Sequence, residues 1–110
     1  MKSVVVRVQD TRAESVGSGV TRRILAYLPQ QMIVEVSFEQ GARGTVHAHP
    51  HVQSTYVLKG EFLFTIQGAE YPVRAGDTLA FAPNEAHGCV CKAQGVLIDV
   101  FTPMREDFIQ

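Results

Sequence analysis

The sequence has little cysteine, almost no net charge and no long apolar run, and each absence excludes a class of protein. Its two cysteines, Cys89 and Cys91, are separated by one residue, and a disulfide across so short a loop is sterically poor. A disulfide framework is therefore excluded, and the cytoplasm is the expected compartment. The net charge of −1 gives no reason to expect a nucleic acid or an anionic membrane as partner.

Long apolar stretches are missing as well. No run approaches the roughly 20 residues that a membrane-spanning helix needs, and the run at 4–6 is too short for the core of a signal peptide. Apolar residues make up 45% and charged residues 19% of the chain, which is the composition of a globular protein and excludes a disordered one. The length of 110 residues is that of one domain, which we expect to span residues 1–110.

A helical period is also absent, because no window of ten or more residues repeats its apolar positions every 3.6 residues. Short runs of valine, isoleucine, threonine and aromatic residues follow one another instead, separated by glycine turns. We predict strands over residues 4–8, 21–28, 32–38, 55–58, 61–67, 71–73, 78–82, 87–92 and 96–102, and a terminal helical turn within 104–109. This succession indicates an all-β barrel or sandwich.

Histidine is concentrated in one place. Three of the four histidines lie in the segment His47-Ala48-His49-Pro50-His51-Val52-Gln53, and the fourth is His87. Neutral imidazole is the commonest protein ligand for metal ions. Alternate side chains of a strand share a face, so we expect His47 and His49 to point the same way. An exposed polar strand face is the alternative interpretation of this pair.

The spacing of these residues forms two motifs. The first is Gly41, five residues, His47, one residue, His49, three residues, Gln53, six residues and Gly60, and the second is Gly76, five residues, Ala82, one residue, Asn84, two residues and His87. Together they resemble the two signature motifs of the cupin family, over about residues 20–103. The resemblance implies a small jelly-roll barrel, the double-stranded β-helix of cupins.

Four positions depart from the usual cupin motifs. Gln53 stands where most cupins carry glutamate, and Ala82, Asn84 and Cys91 replace a proline, a glycine and an asparagine. Asn84 tolerates the left-handed backbone that the glycine would supply, so we expect the turn to survive.

The resemblance implies one divalent transition metal held by His47, His49, Gln53 and His87. Because this ligand set is wholly neutral, the ion keeps its full charge; it would be bound less tightly but act as a stronger Lewis acid. Nickel, zinc, iron(II) and manganese(II) all fit nitrogen and oxygen ligands of this kind.

A closer resemblance, to the KdgF-type cupins, rests on the segments 49–53, 56–62 and especially Asp99 to Phe108. It implies a metal-dependent enzyme of pectin and alginate breakdown, which converts cyclic 4,5-unsaturated monouronates into linear keto-uronates. Asp99, Phe101 and Arg105 match the family's remaining active-site positions. Asp99 would move a proton, with its pKa raised by apolar walls, and Arg105 would bind the substrate's carboxylate. Phe101 would form a wall against the sugar.

Other interpretations of these residues remain open. The protein could be a cupin dioxygenase, or a non-catalytic cupin that binds or senses a sugar. Asp99 could make a structural hydrogen bond, Arg105 could be a surface charge, and Phe101 could belong to the ordinary core.

Four further side chains have no assigned role from sequence. His51 is interpreted as a rim or packing residue rather than a ligand, and Tyr56 as a possible wall of the pocket. Cys89 and Cys91 are interpreted as small buried hydrophobes rather than as metal or redox residues. We expect a homodimer, in which the predicted strand at 4–8 could extend the sheet of a partner.

Overall fold

The structure is a computed structural model that describes residues 3–109 and consists almost entirely of antiparallel strands. In this part of the chain a 3₁₀ turn, Val8–Asp10, precedes eight strands and one short helix. The strands are β1 (Ala13–Gly17), β2 (Val20–Leu28), β3 (Gln31–Phe38), β4 (Arg43–His47), β5 (Val52–Ile66), β6 (Ala69–Arg74), β7 (Thr78–Phe81) and β8 (His87–Thr102), and the helix is α1 (Glu106–Ile109). The prediction of an all-β fold is confirmed, as is the terminal helical turn.

The two longest strands, β5 and β8, pair with each other along almost their whole length and organise the remaining strands. Residues 53–56 of β5 pair with β7 and residues 61–66 with β6, while residues 87–90 of β8 pair with β4 and residues 95–101 with β3. Sheet I therefore contains β1, β2, β3, the second half of β8, the first half of β5 and β7. Sheet II contains β4, the first half of β8, the second half of β5 and β6.

A bend in β5 and β8 joins these two sheets, at the point where the register shifts between Val57 and Phe62. Gly60 has φ +88°, and a Cβ there would lie 2.5 Å from the carbonyl oxygen of Ala93. A Cβ at Gly95 would lie 2.4 Å from the carbonyl oxygen of Lys59. Only glycine permits this approach of two backbones. The turn predicted at residues 59–60 is thus a bend within the single strand β5. The strands predicted at 87–92 and 96–102 are also one continuous strand, β8.

The N-terminal segment differs from its prediction. Residues 4–8 do not form a strand; they run outside the sheets into the 3₁₀ turn, and Val5 is 75% exposed. The edge strand is β1 instead, which follows in the chain and pairs with β2 through the tight turn at Gly19. A hairpin of this kind needs only a local turn, whereas none of the strands described in residues 3–109 pairs with residues 4–8. Asn84 has φ +64°, which confirms the left-handed backbone expected there.

Apolar side chains fill the space between the sheets around the bend. This core consists of Val20, Phe38, Val57, Phe62, Phe64, Phe81, Cys91 and Leu97, and a smaller cluster of Met32, Val34 and Phe101 lies beside it. The buried polar side chains are His49, Gln53, Thr55, His87 and Asp99. No helix within residues 3–109 is long and apolar enough to cross a membrane.

Candidate metal centre and active site

Three imidazoles from different parts of the chain converge on one point; His49 and His87 are buried and His47 is exposed. His47 is the last residue of β4 and His87 the first of β8, and the two pair directly across sheet II. His49 follows in the loop between β4 and β5. One ring nitrogen from each of the three lies within 4.8 Å of the others. The structure thus brings His87 onto the first histidine cluster, although His49 reaches it from a loop and not, as expected, by strand alternation, because β4 ends at His47.

Each of the three imidazoles is oriented by a nearby backbone carbonyl. Nδ1 of His47 lies 2.7 Å from the oxygen of Thr45, Nδ1 of His49 3.2 Å from that of His51, and Nδ1 of His87 2.8 Å from that of Glu85. A carbonyl only accepts hydrogen bonds, so in the neutral rings of His47 and His87 Nδ1 carries the proton and Nε2 keeps its lone pair. Both ring nitrogens of His49 face acceptor oxygens, those of His51 and Gln53. Metal-binding histidines are held in this way.

The Nε2 atom of His87 has no polar partner among the described residues, although it is buried. A buried polar atom without a partner costs free energy, which a ligand at that atom would recover. Burial also lowers the pKa of His87 and of His49, and so favours the neutral, electron-donating form of both rings.

Gln53 supplies an oxygen to the same cluster. Its Nε2 donates to Thr55 Oγ1 at 2.9 Å, which turns its Oε1 toward Nε2 of His49 at 2.8 Å. An amide oxygen only accepts hydrogen bonds, so this contact is a hydrogen bond from Nε2–H of His49, and a metal ion bound by both atoms would take the place of that proton. Three imidazole nitrogens and an amide oxygen fit a divalent transition metal, with positions left for water or substrate.

Asp99 projects from sheet I into the same interior. Thr55, its direct neighbour across β5 and β8, donates a hydrogen bond from Oγ1 to Asp99 Oδ1 at 2.7 Å. Burial raises the pKa of Asp99 from 3.8 to about 6, against the opposing effect of the hydrogen bond from Thr55. The carboxyl group is therefore suited to both accepting and releasing a proton near neutral pH.

One cavity of about 840 Å³, which is within the size range of small-molecule sites, lies beside these groups. Its wall includes His47, Gln53, His87, Asp99, Phe101 and Arg105, but not His49. The structure therefore places three of the four metal-ligand candidates and all three catalytic candidates around a single space.

Arg105 lies at this cavity in a fixed orientation. Its Nε and Nη2 donate to the carboxylate of Asp107 at 3.1 and 2.9 Å, and its guanidinium carbon lies 5.0 Å from the centre of the Phe101 ring. The Arg105 side chain is only 12% exposed, which is low for a solvated surface charge. Phe101 is 3% exposed, and its ring contacts that of His49 edge to face with the centroids 5.6 Å apart.

Comparison with known proteins identifies the family. The sequence profile of the cupin domain matches residues 34–101 of this chain. The chain belongs to the cupin family.

Relatives of this cupin include the pectin degradation protein KdgF of Dickeya dadantii, which is 40% identical over 102 residues, covering 91% of this chain and 93% of that protein. Among solved structures, KdgF from Halomonas sp. matches with a TM-score of 0.91 and 31% identity, over 97% of this chain and 99% of that one. An RmlC-like cupin from Shewanella frigidimarina matches with the same TM-score and 39% identity, over 97% and 96% of the two chains. The resemblance to KdgF-type cupins is thus confirmed.

Several other side chains of this cupin lie outside the cluster. Tyr56 does not line the cavity; it is 43% exposed, because odd-numbered residues in this half of β5 face inward and even-numbered ones outward. His51 packs its ring against His49 and Phe101 but is not part of the three-histidine group. Cys91 is fully buried, and burial raises its pKa and that of Cys89, the latter to about 12. A raised pKa favours the protonated thiol, which is a poor nucleophile, at both positions.

Two residues that contribute to the site were not identified from sequence. Thr55 joins Gln53 to Asp99, and its signal was available, because it follows Gln53 by two residues and shares its strand face. Arg22 lines the cavity from β2, and nothing in its local sequence distinguishes it from the adjacent Arg23.

Proposed function

We propose that this cupin is a metal-dependent enzyme that opens and ketonises 4,5-unsaturated monouronates to linear keto-uronates, in the breakdown of pectin and alginate. The observation that carries the proposal is the buried Asp99, which lines one cavity together with Arg105 and with His47 and His87, two members of the three-histidine cluster. The similarity to proteins named as KdgF, one of them a pectin degradation protein, supports this assignment.

The metal would be held by His47, His49, Gln53 and His87. Nickel, zinc, iron(II) or manganese(II) would satisfy these ligands, and the bound ion would act as a Lewis acid that polarises a substrate oxygen.

Asp99 would carry the proton through the reaction. In the first step its carboxylate accepts the proton of the C1 hydroxyl while the bond from C1 to the ring oxygen breaks, which leaves an aldehyde at C1 and an enolate at C5. In the second step the same carboxyl group returns the proton to C4, and the enolate becomes a ketone. No proton is gained or lost overall. A pKa of about 6 allows Asp99 to perform both steps near neutral pH.

Arg105 and Phe101 would position the substrate. The N–H groups of Arg105 that Asp107 does not occupy would bind the uronate carboxylate. The buried Phe101 ring would form the wall that excludes water from the sugar.

The assay is the loss of the conjugated double-bond absorbance when purified protein is added to an unsaturated monouronate. We expect Asp99→Ala to lower the rate by about 10²–10⁴-fold and to leave the metal content unchanged. Equal rates for the wild type and Asp99→Ala would remove Asp99 from the mechanism. Oxygen consumption during turnover would favour a dioxygenase, because ring opening consumes none.

We also propose that the protein acts in the cytoplasm as a homodimer. The outer face of β5 presents Val52, Tyr56 and Leu58, each more than two-fifths exposed, and this apolar face of sheet I is a surface that a second copy could cover. Sedimentation of the wild type and of Tyr56→Lys with Leu58→Lys tests this. A wild type that sediments as a monomer would exclude the dimer.

A further inference from the structure

Arg22 is a basic residue on the inner face of a sheet. It pairs with Val36 in the β2–β3 ladder and shares its face with the buried Val20, while the adjacent Arg23 faces outward and approaches Glu35 at 3.9 Å. The Arg22 side chain is 19% exposed and lines the same cavity as Asp99. A charged residue in this position is uncommon unless it has a partner or a function.

Arg22 is held in the same manner as Arg105. Its Nε and Nη2 donate to Glu14 Oε1 at 3.1 and 2.8 Å, as those of Arg105 donate to Asp107. Both guanidinium groups pack on the Phe108 ring, with their central carbons 3.8 Å (Arg22) and 4.2 Å (Arg105) from its centre. The two cations therefore share one aromatic ring, and each is also held by one carboxylate.

Each arginine keeps one nitrogen, Nη1, with two N–H groups that bond to nothing in residues 3–109. The acidic partners lie farther into solvent, since the Glu14 and Asp107 side chains are 39% and 58% exposed, against 19% and 12% for the arginines. Water screens the carboxylates more than it screens the guanidinium groups. The Nη1 groups of Arg22 and Arg105 therefore remain available as charged hydrogen-bond donors at the cavity that both residues line.

We propose that Arg22 is a second anchor for the carboxylate of the substrate, which Arg22 and Arg105 bind together through their Nη1 groups. The inference rests on the proposed function, because it takes the substrate to be a uronate. Through Arg22, strand β2 would help to select anionic over neutral sugars. The other proposed site residues come from β4, β5, β8, the loop after β4 and the C-terminal segment.

A purely structural role for Arg22 would give a different result on substitution. If Arg22 only supported Phe108 by stacking, then Arg22→Met would preserve function, because methionine retains an unbranched apolar side chain that can lie on the ring. If Arg22 binds a carboxylate, Arg22→Met removes the positive charge and Arg22→Lys keeps it without the planar fork. Arg23→Met is the matched control, since it removes an arginine from the outer face of the same strand.

The experiment is calorimetric titration of the purified metal-containing protein with galacturonate, which lacks the reactive double bond, and with neutral galactose. We expect the wild type to prefer galacturonate, Arg22→Met to weaken galacturonate binding by about tenfold or more, and Arg22→Lys to retain part of it. Arg23→Met should bind galacturonate as the wild type does, and the weak binding of galactose should be the same in every variant.

Unchanged galacturonate affinity in Arg22→Met, or a wild type that does not prefer galacturonate over galactose, would overturn the inference. Thermal unfolding of each variant checks that the fold is intact. If Arg22→Met does not fold, Arg22→Lys decides, because it keeps the charge but loses the planar fork; unchanged galacturonate affinity in Arg22→Lys would then overturn the inference. If the wild type binds galacturonate through Arg22 but does not convert the unsaturated uronate, the proposed reaction is refuted and the proposed role of Arg22 in binding stands.

Discussion

The two sides of the cavity are built in different ways. On the imidazole side, each histidine is oriented by a carbonyl only two residues away in the chain. On the carboxylate side, Asp99 is held by Thr55, which is 44 positions distant. The orientation of the imidazoles therefore depends on the local backbone conformation. The position of the Asp99 carboxylate depends instead on the correct pairing of β5 with β8.

Burial affects the ionisation of both sides in opposite directions. It lowers the pKa of His49 and His87 and raises that of Asp99. In each case the neutral form is favoured, because a charge is less stable away from water. The same physical cause thus prepares the histidines to donate lone pairs and the carboxyl group to carry a proton.

The largest effect should come from breaking the imidazole side with His87→Ala. Loss of the buried Nε2 removes one of the three nitrogen ligands that we propose, so we expect the metal content of the purified protein to fall to near zero, together with turnover. Elemental analysis measures this. His51→Ala is the control, because it removes a neighbouring imidazole but keeps the carbonyl that orients His49. Equal metal content in wild type and His87→Ala would place the metal elsewhere.

Thr55→Val should break the carboxylate side alone. Valine has nearly the shape of threonine but cannot donate to Asp99 or accept from Gln53. Loss of a hydrogen bond to a charged group costs about 1.5–3 kcal/mol, so we expect turnover to fall by roughly 10- to 100-fold. The metal content should stay at the wild-type level. If turnover is unaffected, Asp99 does not need Thr55 for its position.

Gln53→Glu would sharpen the comparison, because Gln53 contacts both sides. A carboxylate at this position should hold a divalent cation more tightly and reduce its Lewis acidity. We expect a chelator to remove the metal several-fold more slowly, while turnover falls several-fold. Gln53→Met keeps the length of the side chain but offers no strong ligand, so we expect a chelator to remove the metal faster than from the wild type. Faster metal loss from Gln53→Glu than from the wild type would exclude Gln53 as a ligand.

Asp107→Asn should have the smallest effect, since it loosens the orientation of Arg105 without removing it. We expect KM for the uronate to rise a few-fold with kcat nearly unchanged. The hydrogen bonds from Arg105 lower the pKa of Asp107, so this pair is intact at neutral pH and is lost only as the pH falls through that lowered value. Glu106→Gln, the neighbouring acid, is the control. A change in kcat without a change in KM would contradict a positioning role.

Much of the site could be predicted from spacing. The intervals between His47, His49 and Gln53, and the later His87, match the cupin motifs, and that resemblance named the side chains that lie together in the structure. The side chains that were missed or wrongly placed lie on strands, and their position depends on which face of the strand each one occupies. Tyr56 was expected in the pocket but faces outward, and Arg22 faces inward where its neighbour Arg23 does not.

The sequence by itself determined the strand-forming character of the chain, the glycines of its bends and turns, and the residues able to bind a metal, because these depend on backbone propensity and on the chemistry of single side chains. Only the tertiary structure decided that residues 52–66 and 87–102 are two bent strands and not four. It also decided that Asp99 lies opposite the imidazoles, and that Arg22 and Arg105 share one aromatic ring. The physical reason is that pairing between distant strands sets which face of each strand is buried, and local sequence does not encode that register.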